Sequence, residues 1–155
     1  MGQPRGGRSR QRNEFTVVID RPVDEVFAFV TDLPRTPQWR TTVRQSEALQ
    51  WHGVSPVGTR FRAVTRVAGR RWNWSCQVTA WDPPERFAYA VVEGGVPMEV
   101  GYRCAAHGEA CRFTLWAEAD QLGGFLGRVA VPMIAWGMRR EVRAQLGNLK
   151  RILEA

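Results

Sequence analysis

The sequence predicts an α+β protein in which a long curved antiparallel sheet is closed on its apolar face by a C-terminal helix. Three observations predict it. Five consecutive segments between Thr59 and about Ala119 alternate apolar and polar residues and are separated by short turn signals. Folding the chain at each turn sets the bulky apolar residues of all five on one shared face. After Gly123-Gly124 the apolar period changes from that of a strand to that of a helix.

The elements follow in order. Residues 1–13 are rich in Gly, Arg, Gln and Ser and are expected to form a disordered basic tail, with one domain over 14–155. Residues 14–20 read as a strand with Phe15, Val17 and Ile19 on one side. Asp20 is the expected N-cap of a helix carrying Pro22 near its first turn and Asp24-Glu25 where the helix dipole favours anions. Val23, Val26, Phe27 and Val30 are its apolar stripe. Pro34 and Pro37 break this into a second short helical turn ending at Trp39-Arg40. A strand at about 42–50 and a loop through His52, Gly53, Pro56 and Gly58 lead into the meander.

The turns fix the registers. Ala68-Gly69 sets Phe61 opposite Cys76, Ala63 opposite Trp74 and Thr65 opposite Trp72. The Asp82–Glu85 loop sets Cys76 opposite Val91, Val78 opposite Tyr89 and Ala80 opposite Phe87. Gly94-Gly95 sets Val91 opposite Met98, Tyr89 opposite Val100 and Phe87 opposite Tyr102. His107-Gly108 sets Val100 opposite Leu115, Tyr102 opposite Phe113 and Cys104 opposite Cys111. The other face carries Arg60, Arg62, Arg66, Arg71, Arg103 and Arg112 and is the expected wet face. Arg66 opposes Arg71 there. Trp116 also falls on it, where an exposed Trp suggests a partner surface. In the C-terminal helix Phe125, Val129, Met133 and Trp136 form one stripe, and Met138, Val142, Leu146, Leu149 and Leu153 the next. Pro132 and Gly137 are expected to bend it between the stripes.

Composition bounds the function. The chain has 155 residues, enough for one domain with a real core. Its 22 Lys and Arg against 15 Asp and Glu give +7. Without Arg5, Arg8, Arg10 and Arg12 the count is 18 against 15, so the domain itself is only mildly basic. Lys150 is the only lysine. A nucleic-acid partner is not expected from this balance. No stretch of ~18 uncharged apolar residues is present, since the most apolar run, Leu122 to Met138, contains Arg128 and Pro132, and no signal peptide is read, so the expected location is cytoplasmic. Cys76, Cys104 and Cys111 are expected as buried reduced thiols, although a Cys104–Cys111 disulfide is sterically conceivable.

The element order, with its motifs, resembles the START-like helix-grip fold of the SRPBCC superfamily. "FTVVIDRPVDEVFAFVTDLPRTPQW" (15–39) is similar to the superfamily's opening strand, "P-x-x-x-V-F-x-x-x-x-D" helix and Trp-terminated second helix. "PVGTRF" (56–61) is similar to its "x-x-G-T-x-F" lead into the third strand. "VTAWDPPERFAYAV" (78–91) is similar to its "V-x-x-x-x-P-P-x-x-x-x-Y" corner. The resemblance covers about 14–155 and is strongest for the polyketide cyclase/dehydrase and lipid-transport branch. It implies a hydrophobic small-molecule pocket between the sheet and the C-terminal helix. These motifs position strands and perform no chemistry, so fold alone does not choose the activity.

The residues narrow the chemistry. His52 and His107 are the only histidines, with no metal-ligand spacing around them, so no metal and no cofactor is expected. No phosphate-cradling glycine motif is present. Cys76 points inward without a nearby base, which describes an inert thiol. Lys150 reads as solvated helix surface. Tyr89 and Tyr102 project inward and are the candidate catalytic donors, each either meeting a ligand carbonyl or satisfying a backbone carbonyl. Arg140 is the third candidate, with a snorkelling surface position as its alternative. Gln45 and Glu47 fit either face.

The expected pocket wall on the sheet comprises Phe61, Thr65, Trp72, Trp74, Cys76, Tyr89 and Val91, continued by Met98, Val100, Tyr102, Phe113 and Leu115. Val129, Met133 and Trp136 supply the helix side. The reading is a carrier or binding protein for a polyketide, aromatic, lipid or isoprenoid molecule, as a monomer or homodimer. Its rivals are a cyclase/aromatase-like enzyme using the pocket tyrosines, and a module that uses the Arg-rich outer face to bind RNA or an acidic surface.

Overall fold

The structure, a computed structural model, describes residues 10–95, 97–120 and 125–155, with side chains at 11–95, 97–119 and 139–155. One seven-stranded antiparallel sheet runs in the order β1-β7-β6-β5-β4-β3-β2. Its strands are β1 (Arg10–Ile19), β2 (Val43–Ser46), β3 (Arg60–Val67), β4 (Arg70–Asp82), β5 (Arg86–Glu93), β6 (Met98–His107) and β7 (Ala110–Asp120). Between β1 and β2 lie helix α1 (Val23–Thr31), a 3₁₀ turn (Leu33–Arg35) and the single-turn helix α2 (Thr36–Trp39). Helix α3 (Phe125–Glu154) follows β7. This is the helix-grip architecture expected from the sequence. No helix among the described residues is long and apolar enough to cross a membrane.

The inner face is the core. Phe61, Cys76, Val78, Phe87, Val91, Val100, Tyr102, Phe113 and Leu115 are buried there. Val26, Phe27 and Val30 of α1 and Leu146 and Leu149 of α3 pack against them. Arg60, Arg62, Arg66 and Arg71 are exposed on the other face, and Arg66 pairs with Arg71 across β3 and β4. The C-terminal end of α3 is tied to the strand end: Arg21 Nε donates to the Leu153 carbonyl at 2.6 Å and Lys150 Nζ to the Val18 carbonyl at 2.8 Å.

Several expectations need correction. β1 starts at Arg10 and pairs with β7 along its length, so residues 10–13 belong to the sheet rather than to a tail. Residues 1–9 lie outside the described residues. Pro22, not Asp20, is the N-cap of α1, and no side chain caps it. The Asp20 amide instead donates to Glu154 Oε1. β2 is shorter than expected.

A bulge after Val78 pairs Trp81, not Ala80, with Phe87. That turns Trp81 inward against Phe27 and Phe87. The β6–β7 turn is Gly108-Glu109, so Tyr102 faces Leu115 and Cys104 faces Phe113. This two-residue shift keeps every side chain on its face and leaves Cys104 and Cys111 free. α3 is helical through Pro132 and Gly137. The side chains of Phe125, Val129, Met133, Trp136 and Met138 lie outside the described residues.

Trp116 is on the outer face but is not exposed. It retains only 6% of its accessible area. Its indole lies over Gly101, where a Cβ would collide with it. The Arg12 guanidinium covers the ring at 4.3 Å. The early start of β1 supplies that cover.

Candidate functional site

The site begins with a local constraint. Pro37 sits in the first turn of α2, where its missing N–H costs nothing. Trp39, fully buried, ends the turn with its ring edge-on to Tyr102 at 5.7 Å and Phe113 at 6.1 Å. Arg40 then leaves the helix with φ −96° and ψ 89°. Its guanidinium passes beneath the sheet. Arg40 Nη1 donates to the phenol oxygen of Tyr89 at 3.0 Å and to that of Tyr102 at 3.2 Å.

The two tyrosines reach one guanidinium because of strand register. Tyr89 of β5 faces Val100 of β6, and Phe87 faces Tyr102, so the phenols are diagonal neighbours on the inner face. Phe61 and Phe87 hold the Tyr89 ring at 5.3 and 5.9 Å. Beside this cluster is a mostly apolar cavity of about 100 Å³. Residues of β3 to β6 form one wall, and Leu33, Thr36 and Arg40 with Val43 and Ser46 of β2 form the other. Trp74 is half-buried on the wall and donates through Nε1 to Thr65 Oγ1 at 2.6 Å.

The electrostatics follow from burial. Burial opposes the Arg40 charge, but the phenol oxygens that accept from it more than offset that cost, and the guanidinium stays protonated. Burial also raises the Tyr89 phenol above its ordinary value, and the nearby Arg40 charge reverses only part of the rise. The Cys76 thiol is pushed up to about 11 by burial, again partly countered by Arg40. Away from the cavity, Cys104 is raised by its hydrogen bond to Cys111 and by burial.

Nine of the residues expected at a pocket line the cavity: Phe61, Thr65, Trp74, Cys76, Tyr89, Val91, Met98, Val100 and Tyr102. Phe113 and Leu115 are buried but belong to the solid core, where Phe113 packs against Trp39 and Tyr102. Trp72 does not reach the cavity. It is 41% exposed, near the tip of the β3–β4 hairpin, where Val67 is also exposed. Arg140 is exposed on α3, so it is no partner of the cavity. Gln45 and Glu47 are exposed as well.

Sequence reasoning missed Arg40, a half-buried cation that lines the cavity. Periodicity ends at Trp39, and the next residue has no pattern to place it. The available signal was its position directly after a Trp that closes a Pro-bounded helical turn.

The family model described as polyketide cyclase / dehydrase and lipid transport matches residues 10–154. No curated protein sequence matches. Among solved structures, the Zhui aromatase/cyclase from Streptomyces sp. R1128 is 20% identical, with 94% of each chain covered and a TM-score of 0.74. A START superfamily protein from Mycobacterium smegmatis is 13% identical, with 92% of this chain and 97% of that one covered and a TM-score of 0.75. A Thermus thermophilus protein is 20% identical, with 91% and 95% covered and a TM-score of 0.74. At these identities the structural likeness concerns the fold.

Proposed function

The chain belongs to the polyketide cyclase/dehydrase and lipid-transport family, and from that premise we propose that it is a carrier or binding protein for a hydrophobic small molecule. The molecule sits in the cavity between β3–β6 and the wall made by the 3₁₀ turn, α2 and β2. One observation carries the choice of carrier over enzyme. Among the described residues that line the cavity there is no His, Asp or Glu, so no general base faces it. The cavity of about 100 Å³ accepts a ring-sized group, and a larger ligand takes more room by displacing the half-buried Trp74 and Met98. The three free cysteines suit a reducing cytoplasm.

A second reading is favoured by the convergence of Arg40, Tyr89 and Tyr102. Such donors stabilise negative charge developing on a carbonyl oxygen, as a cyclase requires. The structural neighbour described as an aromatase/cyclase agrees with it.

Filling the cavity tests the binding reading. The fluorescent apolar probe N-phenyl-1-naphthylamine should bind the protein saturably. Ala63 lines the cavity, and Ala63→Phe occupies the space. A folded Ala63→Phe protein should bind the probe at least about tenfold more weakly, a loss of ~1.4 kcal/mol. Unchanged binding would place the site elsewhere.

A further inference from the structure

The polar end of the cavity is rich in donors and, among the described residues that line it, has no carboxylate. The Arg40 Nε is buried and has no hydrogen-bond partner. Its Nη1 is spent on the two phenols, whose oxygens act there as acceptors. Each phenol hydrogen therefore remains to be given away, and neither Tyr89 nor Tyr102 has an acceptor for it among the described residues. Thr36 Oγ1, on the same wall, is buried without a partner. No carboxylate pairs with Arg40 among the described residues. Arg40 is half-buried, and the two neutral phenols give it acceptors but no negative charge, so its charge has no counter-anion there. The rest of the wall is mostly apolar, with the Ser46 and Thr65 hydroxyls as its other polar groups, so the missing partner is a single small anionic group on an apolar body.

We propose that the ligand is an apolar monocarboxylate, whose carboxylate oxygens accept from Arg40, Tyr89 and Tyr102 while its hydrocarbon body occupies the Phe61–Val91–Val100 side. This rests on the binding reading above and specifies its ligand class. One guanidinium matches one carboxylate in charge and in fork geometry. A dianionic phosphate would leave one charge uncompensated in a small apolar cavity.

Calorimetry with three probes sharing one ring system decides it: 2-naphthoate, 2-naphthamide and 2-naphthylmethanol, at neutral pH. The carboxylate should bind about tenfold or more tightly than either neutral probe, the gap between charged and neutral hydrogen bonds. Its affinity should change little between low and high salt, because the charge pair is buried. Arg40→Met should abolish the preference. If that variant does not fold, the Arg40 Nε–H resonance of the unaltered protein supplies the answer. It should move downfield with 2-naphthoate and stay in place with 2-naphthylmethanol. Equal affinities for all three probes overturn the monocarboxylate and leave the binding function intact. Carboxylate binding that collapses with salt also overturns it, because the surface arginines would then be the site. If no probe binds, both readings fail together.

Discussion

Arg40 Nη1 stands 3.0 Å from the phenol oxygen of Tyr89, a hydrogen bond that joins the end of α2 to the middle of β5 beneath the sheet. The contact ties the site to the fold. Trp39 anchors α2 in the core, and the residue after it is thereby delivered to the one place where two inward tyrosines meet. A charged group in a mostly apolar cavity then sets which ligands fit.

Tyr89→Phe and Tyr102→Phe separate carrier from enzyme. Each keeps the ring and removes one oxygen. Each leaves a buried charged donor short of an acceptor, so stability should fall by about 1–3 kcal/mol in urea unfolding. In a carrier, affinity should weaken by only ~0.5–1.5 kcal/mol for a neutral bound molecule and ~1.5–3 kcal/mol for a carboxylate. In a cyclase, turnover should drop about 100- to 1000-fold. The carrier result is expected.

The outer face offers a stability test far from the cavity. Trp116 lies on Gly101 under Arg12. Gly101→Ala places a methyl group inside the indole. The ring must shift, and overpacking of this kind costs about 1–3 kcal/mol. Thermal unfolding should show that loss while probe binding is retained. A Gly101→Ala protein as stable as its parent would mean that Trp116 does not lie on the sheet.

Cys76 gives a pH dependence with a definite sign. Burial raises its thiol from 9.0 to about 11. Between those values the unfolded chain releases the proton and the folded chain keeps it. Its contribution is therefore complete below pH 9 and is lost as pH rises toward 11, by at most ~1.4 kcal/mol per pH unit. Tyr89, also raised by burial, acts in the same direction at higher pH. The urea midpoint should fall between about pH 8 and about pH 10.5, and Cys76→Ala should flatten the fall. A midpoint that rises over this interval would show that the thiol is not buried as described.

Much of this was legible in the sequence, for reasons tied to particular residues. Ala68-Gly69 takes positive φ at both positions, and such a turn fixes one register, so the β3–β4 pairing was readable down to Arg66 opposite Arg71. At the β6–β7 turn Gly108 alone takes positive φ, and it is the first turn residue rather than the second. Two placements of that glycine are compatible with the same alternation, so the face was readable and the register was not. The bulge after Val78 has no composition signal, and it moved Trp81 inward. Trp72 was assigned by alternation, but alternation cannot tell how far the cover over a hairpin extends. Arg40 follows no period at all. Its role comes from tertiary placement by Trp39.

The central claim is that this cavity, and not the arginine-rich outer face, is where a ligand sits. Backbone amide chemical-shift mapping with 2-naphthylmethanol, a neutral probe, tests it most directly. The largest shifts should fall on Phe61, Cys76, Tyr89, Val100 and Tyr102, which line the cavity from four different strands. Shifts confined to the neighbourhoods of Arg62, Arg66 and Arg112, with the cavity amides unmoved, would contradict the account.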